Sequence, residues 1–260
     1  LVNQQTDGSG MVDISFTLTG PESSYNIALE VSFDAGTVYS PIPPAFLTGD
    51  LVNIPPGANK QIIWDGMGSY PDTNSAQSVL KIIATKGASC PTSLTDFDGN
   101  SYSMTIIGTQ CWMAENLKTA HYKNGTPIEY PGADNTAWQN NATGAYGWYN
   151  NDISWKDSYG ALYNWHAVMN PNKLCPQQWH IASLDEWNVL VNYLGGEYAA
   201  GGKLKSTRTD PDPHPRWDSP NTGATNEANW EGLPNGFREF DGDFHELGAT
   251  GTWWTTSDIG

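Results

Sequence analysis

Three cysteines, five histidines and one spaced run of acids are the residues of this 260-residue chain whose types could do chemistry. The histidines stand at His121, His166, His180, His214 and His245, without the short ligand spacing that zinc sites use. No Gly-x-Ser-x-Gly elbow and no phosphate-cradling glycine motif is present. Asp96, Asp98 and Asn100 match the first three ligand positions of a calcium loop, but Ile107 occupies the position that needs a bidentate glutamate. A plain turn at Asp98-Gly99-Asn100 is therefore expected, and no metal ligand, cofactor or catalytic residue is assigned. Cys90 precedes that turn and Cys111 follows it, so the two flanks bring them together as the expected disulfide. Pairing of Cys175 with either of them is the alternative.

Two further residue types point to glycans. Trp138, Trp148, Trp155 and Trp217 lie in polar stretches, where an exposed indole could stack on a sugar face. Against this, a loop-rich domain needs large side chains to hold its loops, so packing competes for the same rings. Asn141-Ala142-Thr143 is an N-glycosylation sequon, which makes Asn141 the candidate glycan acceptor.

The elements that must position these residues divide near residue 88. Before it, Val12, Ile14, Phe16 and Leu18 alternate with polar neighbours, and Tyr25, Ile27, Leu29, Val31 and Phe33 do the same. Prolines at 41, 43, 44, 55 and 56 restrict the 40–57 stretch to loop and sheet edge. KQIIWD (60–65) and SVLKIIAT (78–85) complete a set of short strands with the spacing of an immunoglobulin-like β-sandwich without a disulfide, Trp64 being its core aromatic. After residue 88 the strongest element is a helix from Leu184. Ser183 and Glu186 form its capping box, and Leu184, Trp187, Leu190, Val191 and Leu194 its apolar stripe. Gly195-Gly196 supply its stop. YGALYNWHAVM (159–169) reads as another short helix, with His166 hydrogen-bonded in its packing, and 121–158 as a long loop region held by aromatic residues. TDPDPHPRWDSP reads as surface loop with solvated acids, and Pro234-Asn235-Gly236 and Asp241-Gly242-Asp243 as hairpin turns.

Composition narrows the function classes. The net charge of −16 argues against nucleic acid as a partner, since phosphate binding needs clustered Lys and Arg, and no run of eighteen apolar residues is present to span a bilayer. Charged residues are few, and 27 Gly and 17 Pro fit a loop-rich extracellular β protein. A chain that starts at Leu1 with no leader fits a processed secreted protein, and a trimmed one equally.

DGNSYSMTIIGTQCWMAENL, YGALYNW, CPQQWHIASLDEWNVLVNYLGG, GGKLKST and LPNGFREFDGDFHELGATGTWW, in that order, resemble the Fibrobacter succinogenes major paralogous domain, a module of secreted and surface proteins of bacteria. The WHIASLDEW block is also similar to the formylglycine-generating-enzyme and C-type-lectin-like group. That resemblance implies an α+β fold with long loops over 89–260, behind an immunoglobulin-like domain at 1–88. Members of the family continue past the tryptophan pair to a cysteine, which would be the partner of Cys175. Either the chain extends beyond Gly260 or another chain completes the domain.

Three function classes follow. An enzyme of the formylglycine-generating-enzyme-like fold would need a paired-cysteine or metal constellation that the residues do not supply. A carbohydrate-binding module would use the four loop tryptophans. A non-catalytic, extracellular or cell-surface protein, assembling with copies of itself or other surface proteins into adhesive or fibrous structures, fits the tandem β-rich modules and the acidity, and is the expected class.

Overall fold

The computed structural model describes residues 1–73 and 75–257. The chain forms two compact, β-rich units, Leu1–Ser89 and Cys90–Gly260. The question of how the chain proceeds at Gly260 lies outside the described residues.

In the first unit, alternation of apolar and polar residues decides the strands. β1 (Val2–Gln4), β2 (Met11–Leu18), β3 (Tyr25–Ser32), β4 (Ser40–Pro41), β5 (Leu47–Gly49), β6 (Gly57–Asp65) and β7 (Val79–Lys86) form two antiparallel sheets, with a short helix α1 (Gly66–Ser69) after β6. One sheet has the order β1-β2-β6-β5 and the other β4-β3-β7. Val12, Ile14 and Leu18 of β2 join Tyr25, Ile27, Leu29 and Val31 of β3 in one buried cluster, which is the side-chain period of two expressed in packing. Trp64 belongs to this core; its indole N–H donates to the Ser69 hydroxyl (2.8 Å) and its ring meets Tyr70 edge-on. The proline-rich stretch supplies only β4, one 3₁₀ turn and β5, all peripheral.

The second unit has more regular structure than its loop-like sequence suggests. Its strands are β8 (Met104–Ile107), β9 (Gln110–Met113), β10 (Tyr146–Gly147), β11 (Leu162–Tyr163), β12 (Asn235–Arg238) and β13 (Phe244–Leu247), paired as three two-stranded ladders. Its helices are α2 (Asn135–Gln139), α3 (Lys156–Tyr159), α4 (Trp165–Val168), α5 (Leu184–Tyr193) and α6 (Glu197–Leu204). α5 starts on a capping box in which the Ser183 hydroxyl accepts from the Glu186 N–H and the Glu186 carboxylate accepts from the Ser183 N–H. It ends as a Schellman motif: Gly196 N–H donates to Val191 C=O (2.9 Å) and Gly195 N–H to Asn192 C=O (3.1 Å), with φ of +92° and +99° at the two glycines. Leu190 and Leu194 are buried with Ala200 and Leu204 of α6, while Trp187 and Val191 pack at the margin of that cluster.

Four expectations change. Leu184 is exposed, because it sits in the first turn beyond the reach of the core. YGALYNWHAVM is not one helix: Tyr159 ends α3, Gly160 breaks the run with a φ of +74°, Leu162-Tyr163 form β11 and Asn164 caps α4 anew; the His166 ring on α4 is exposed and makes no hydrogen bond among the described residues. Asn235-Gly236 belong to strand β12 rather than to a turn, and only Asp241-Gly242-Asp243 lies in the connection between β12 and β13. The acids of the proline loop are exposed but not all merely solvated, since Asp210 and Asp218 both pair with Arg216 (2.9 and 3.3 Å).

Tryptophans hold much of this unit. Trp112, Trp187, Trp230 and Trp253 contact in a row at centroid separations of 4.9, 5.7 and 4.7 Å, and Trp254 packs on Trp165.

Candidate functional site

The four edges of the two sheets in the first unit are unequal. β1 and β5 have three residues each and β4 two, whereas β7 has eight, VLKIIATK, and pairs on one side only, with β3. Register explains why its exposure matters. Leu29 of β3 faces Ile82 of β7, and Val31 faces Leu80, so Leu80, Ile82 and Ala84 point to the core side of the sheet. Yet Leu29 is 1% exposed and Ile82 38%. The apolar face of β7 is therefore covered at Leu80, which packs against the core, and left open at Ile82. Val79, on the other face, is equally exposed.

Local chemistry leaves this edge unguarded. Its two lysines, the residue type that most often blocks an edge, are engaged: Lys81 pairs with Glu30 (2.8 Å) and Lys86 with Glu22 (3.0 Å). No proline or bulge interrupts the ladder with β3, and Gly87 closes it by donating its N–H to Ser24 C=O. The sequence marked SVLKIIAT as a strand but carried no sign that it would be an outer one; the only trace is the adjacent pair Ile82-Ile83, which breaks the alternation of a half-buried strand.

In the second unit the sequence-predicted residues separate. Cys90 and Cys111 are disulfide-bonded. Cys111 lies on β9 opposite Ile106, and the Cys90 sulfur approaches the Thr105 carbonyl, so the bond staples the incoming chain to the β8-β9 ladder. Cys175 is a buried thiol whose burial pushes its pKa up to about 12. Asn141 is buried, and its Nδ2 donates to the Glu129 carboxylate (2.6 Å) while its Oδ1 accepts from Gly144 N–H and Asn164 Nδ2. That nitrogen is buried and already engaged as a donor, so in this structure Asn141 holds loops together. Trp138, Trp148 and Trp217 are buried, with the Trp138 and Trp217 N–H groups bonded to Glu239 and Gly232 carbonyls. Trp155 is half-buried against Tyr159 and His214. The three buried rings offer no open face; the exposed indoles are Trp253 and Trp254, which the sequence marks only as the chain's close.

The polar clusters are committed to holding loops. Asp96 accepts from Asn100 N–H and Nδ2 and from the buried Tyr102 hydroxyl, which anchors the turn expected there. Asp98 accepts from Thr119, Ala120 N–H and His121; burial works to raise its pKa, but these donors outweigh it and hold the carboxyl below its ordinary range. Glu186 is lowered in the same way: burial opposes, and the Ser183 backbone and His180 prevail. The His214 ring bonds the Tyr159 hydroxyl (2.6 Å). No group of three or more His, Cys, Asp or Glu that could hold a metal exists among the described residues. No helix among them is long and apolar enough to cross a membrane.

No curated protein and no solved structure matches the chain. The model of one family, the Fibrobacter succinogenes major domain, matches residues 106–260, which takes in β9 through β13, the α5-α6 pair and the tryptophan row. With more than half of its length covered by that match, the chain belongs to the Fibrobacter succinogenes major domain family.

Proposed function

We propose that this chain is a non-catalytic bacterial surface protein, secreted or held at the cell surface, that works by assembly with other proteins through strand addition at β7. The single observation that carries the reading is the eight-residue edge whose core-side Ile82 is uncovered while its neighbour Leu29 is fully buried. An extended strand laid along β7 would satisfy a row of backbone groups and cover that apolar stripe in one step. In this reading the first unit is an immunoglobulin-like sandwich serving as the joining module, and the second a C-type-lectin-like domain displayed by it. The reading assigns no catalytic residue, and the histidine–carboxylate pairs support it by being spent on loop anchoring. Amide hydrogen exchange tests it: the β7 amides that do not bond β3 should be protected in the native surface material and exchange fast in the dilute isolated chain. Equal, fast exchange in both would remove the reading.

A second reading, glycan binding, is supported by Trp253 and Trp254. Each donates its N–H into the protein, to Asn116 Oδ1 and Tyr163 C=O, and each is backed by another indole while remaining 38% and 46% exposed. Rings held this way are pre-oriented for stacking on a pyranose. Titration with a panel of neutral plant and microbial glycans should quench tryptophan fluorescence, and a panel that leaves it unshifted rules the idea out.

A further inference from the structure

We infer that the strand added at β7 is β7 of a second copy of this chain, paired antiparallel about Ile82. The inference rests on the strand-addition reading above and names its partner and register.

Charge selects the partner. The chain carries a net charge of −16, so two copies repel over most of their surfaces. β7 is an exception. It contains no Asp or Glu, it holds two of the three basic residues in residues 1–88, and both of these are neutralised by glutamates of their own unit. Two such edges meet without the repulsion that opposes contact elsewhere. An unrelated strand would need its own apolar stripe to match Leu80, Ile82 and Ala84; a second β7 carries one by construction.

Register follows from side-chain parity. In an antiparallel pair, residues directly opposite each other point to the same face. Leu80, Ile82 and Ala84 must therefore meet residues of that same set, or the two core faces would end on opposite sides of the joined sheet. This leaves pairings centred on Lys81, on Ile82 or on Ile83 as the ones that keep most of the strand. Centring on Lys81 sets two ammonium groups face to face. Centring on Ile83 places Lys86 against Leu80 on the apolar side. Centring on Ile82 puts Ile82 opposite Ile82, Leu80 opposite Ala84, Lys81 opposite Ile83 and Val79 opposite Thr85. Only this register makes the apolar stripe continuous with no lysine opposite another. The product is a two-fold, six-stranded sheet made from two copies of β4-β3-β7.

Single-cysteine cross-linking of the full chain tests it. A residue opposite its own copy brings two Cα atoms within about 4.5–5.5 Å, inside the range a disulfide spans. Native thiols do not interfere, because Cys90 and Cys111 are bonded and Cys175 is buried. Under mild oxidation Ile82→Cys should give a covalent dimer at least tenfold more abundant than Lys81→Cys or Ile83→Cys, with all three folded by circular dichroism. Ile82→Lys should leave the chain monomeric in sedimentation. A dimer from Lys81→Cys or Ile83→Cys instead would overturn the register. Absence of any cross-link, with monomers at every concentration, would overturn the second copy as partner; if β7 is then still protected in native surface material, strand addition stands with a different protein.

Discussion

Asn141 illustrates how a residue's role is set by what surrounds it rather than by its motif. Its amide joins three separate stretches, around Glu129, Gly144 and Asn164, and the Gly144 N–H has it as partner in a buried setting. Asn141→Ala should cost about 1–3 kcal/mol, because it strands that N–H, and the denaturant midpoint will show it. Peptide mass analysis of the native protein should find Asn141 unmodified. Acid sensitivity belongs to this scale too. Asp98 and Glu186 have folded-state pKa values below their ordinary 3.8 and 4.5, so folding binds them preferentially as carboxylates. Their stabilisation is complete above those ordinary values and is lost as pH falls through the lowered ones. Melting temperature should therefore drop as pH falls below about 4, and Glu186→Gln should flatten part of that drop. The sequence could show that Asn141 sits in a sequon and that three tryptophans sit among polar residues. It could not show burial, which depends on contacts from residues roughly a hundred positions away, such as Glu239 for Trp138.

Elements were legible where local rules agree. Every device at the ends of α5 is written within a dozen residues of it, so both its start and its stop could be read. α6 is the opposite case. Gly201 and Gly202 lower its helix propensity and hide it, yet Gly202 is there because the Gly223 backbone crosses against it, and Thr225 N–H bonds its carbonyl. Gly202→Ala should thus destabilise, by about 1–3 kcal/mol net, even though alanine is the better helix former by about 1 kcal/mol. A gain in the urea midpoint for that variant would show the crossing to be loose. β7 falls between the two cases: its strand character is local, whereas its place at the edge is decided by the order β4-β3-β7, which no short stretch encodes.

Across the whole molecule, the division into two units means that local perturbations need not spread. The Cys90–Cys111 bond lies within the second unit, where its sequence separation of 21 corresponds to about 3 kcal/mol of loop-closure stabilisation. Reduction should lower the calorimetric transition of that unit and leave the transition of the first unit in place; a shift of both would mean that they unfold together. The two-part organisation was legible from composition, since 11 of 12 tryptophans and all cysteines follow residue 88. The tryptophan row also has an optical consequence. Indoles about 5 Å apart share their excited states, so Trp112, Trp187, Trp230 and Trp253 should act as one coupled chromophore with an intense paired circular-dichroism band and depolarised emission. Trp64, alone in the first unit, should emit as a single polarised fluorophore, so one spectrum of the unmodified chain can follow the melting of each unit separately.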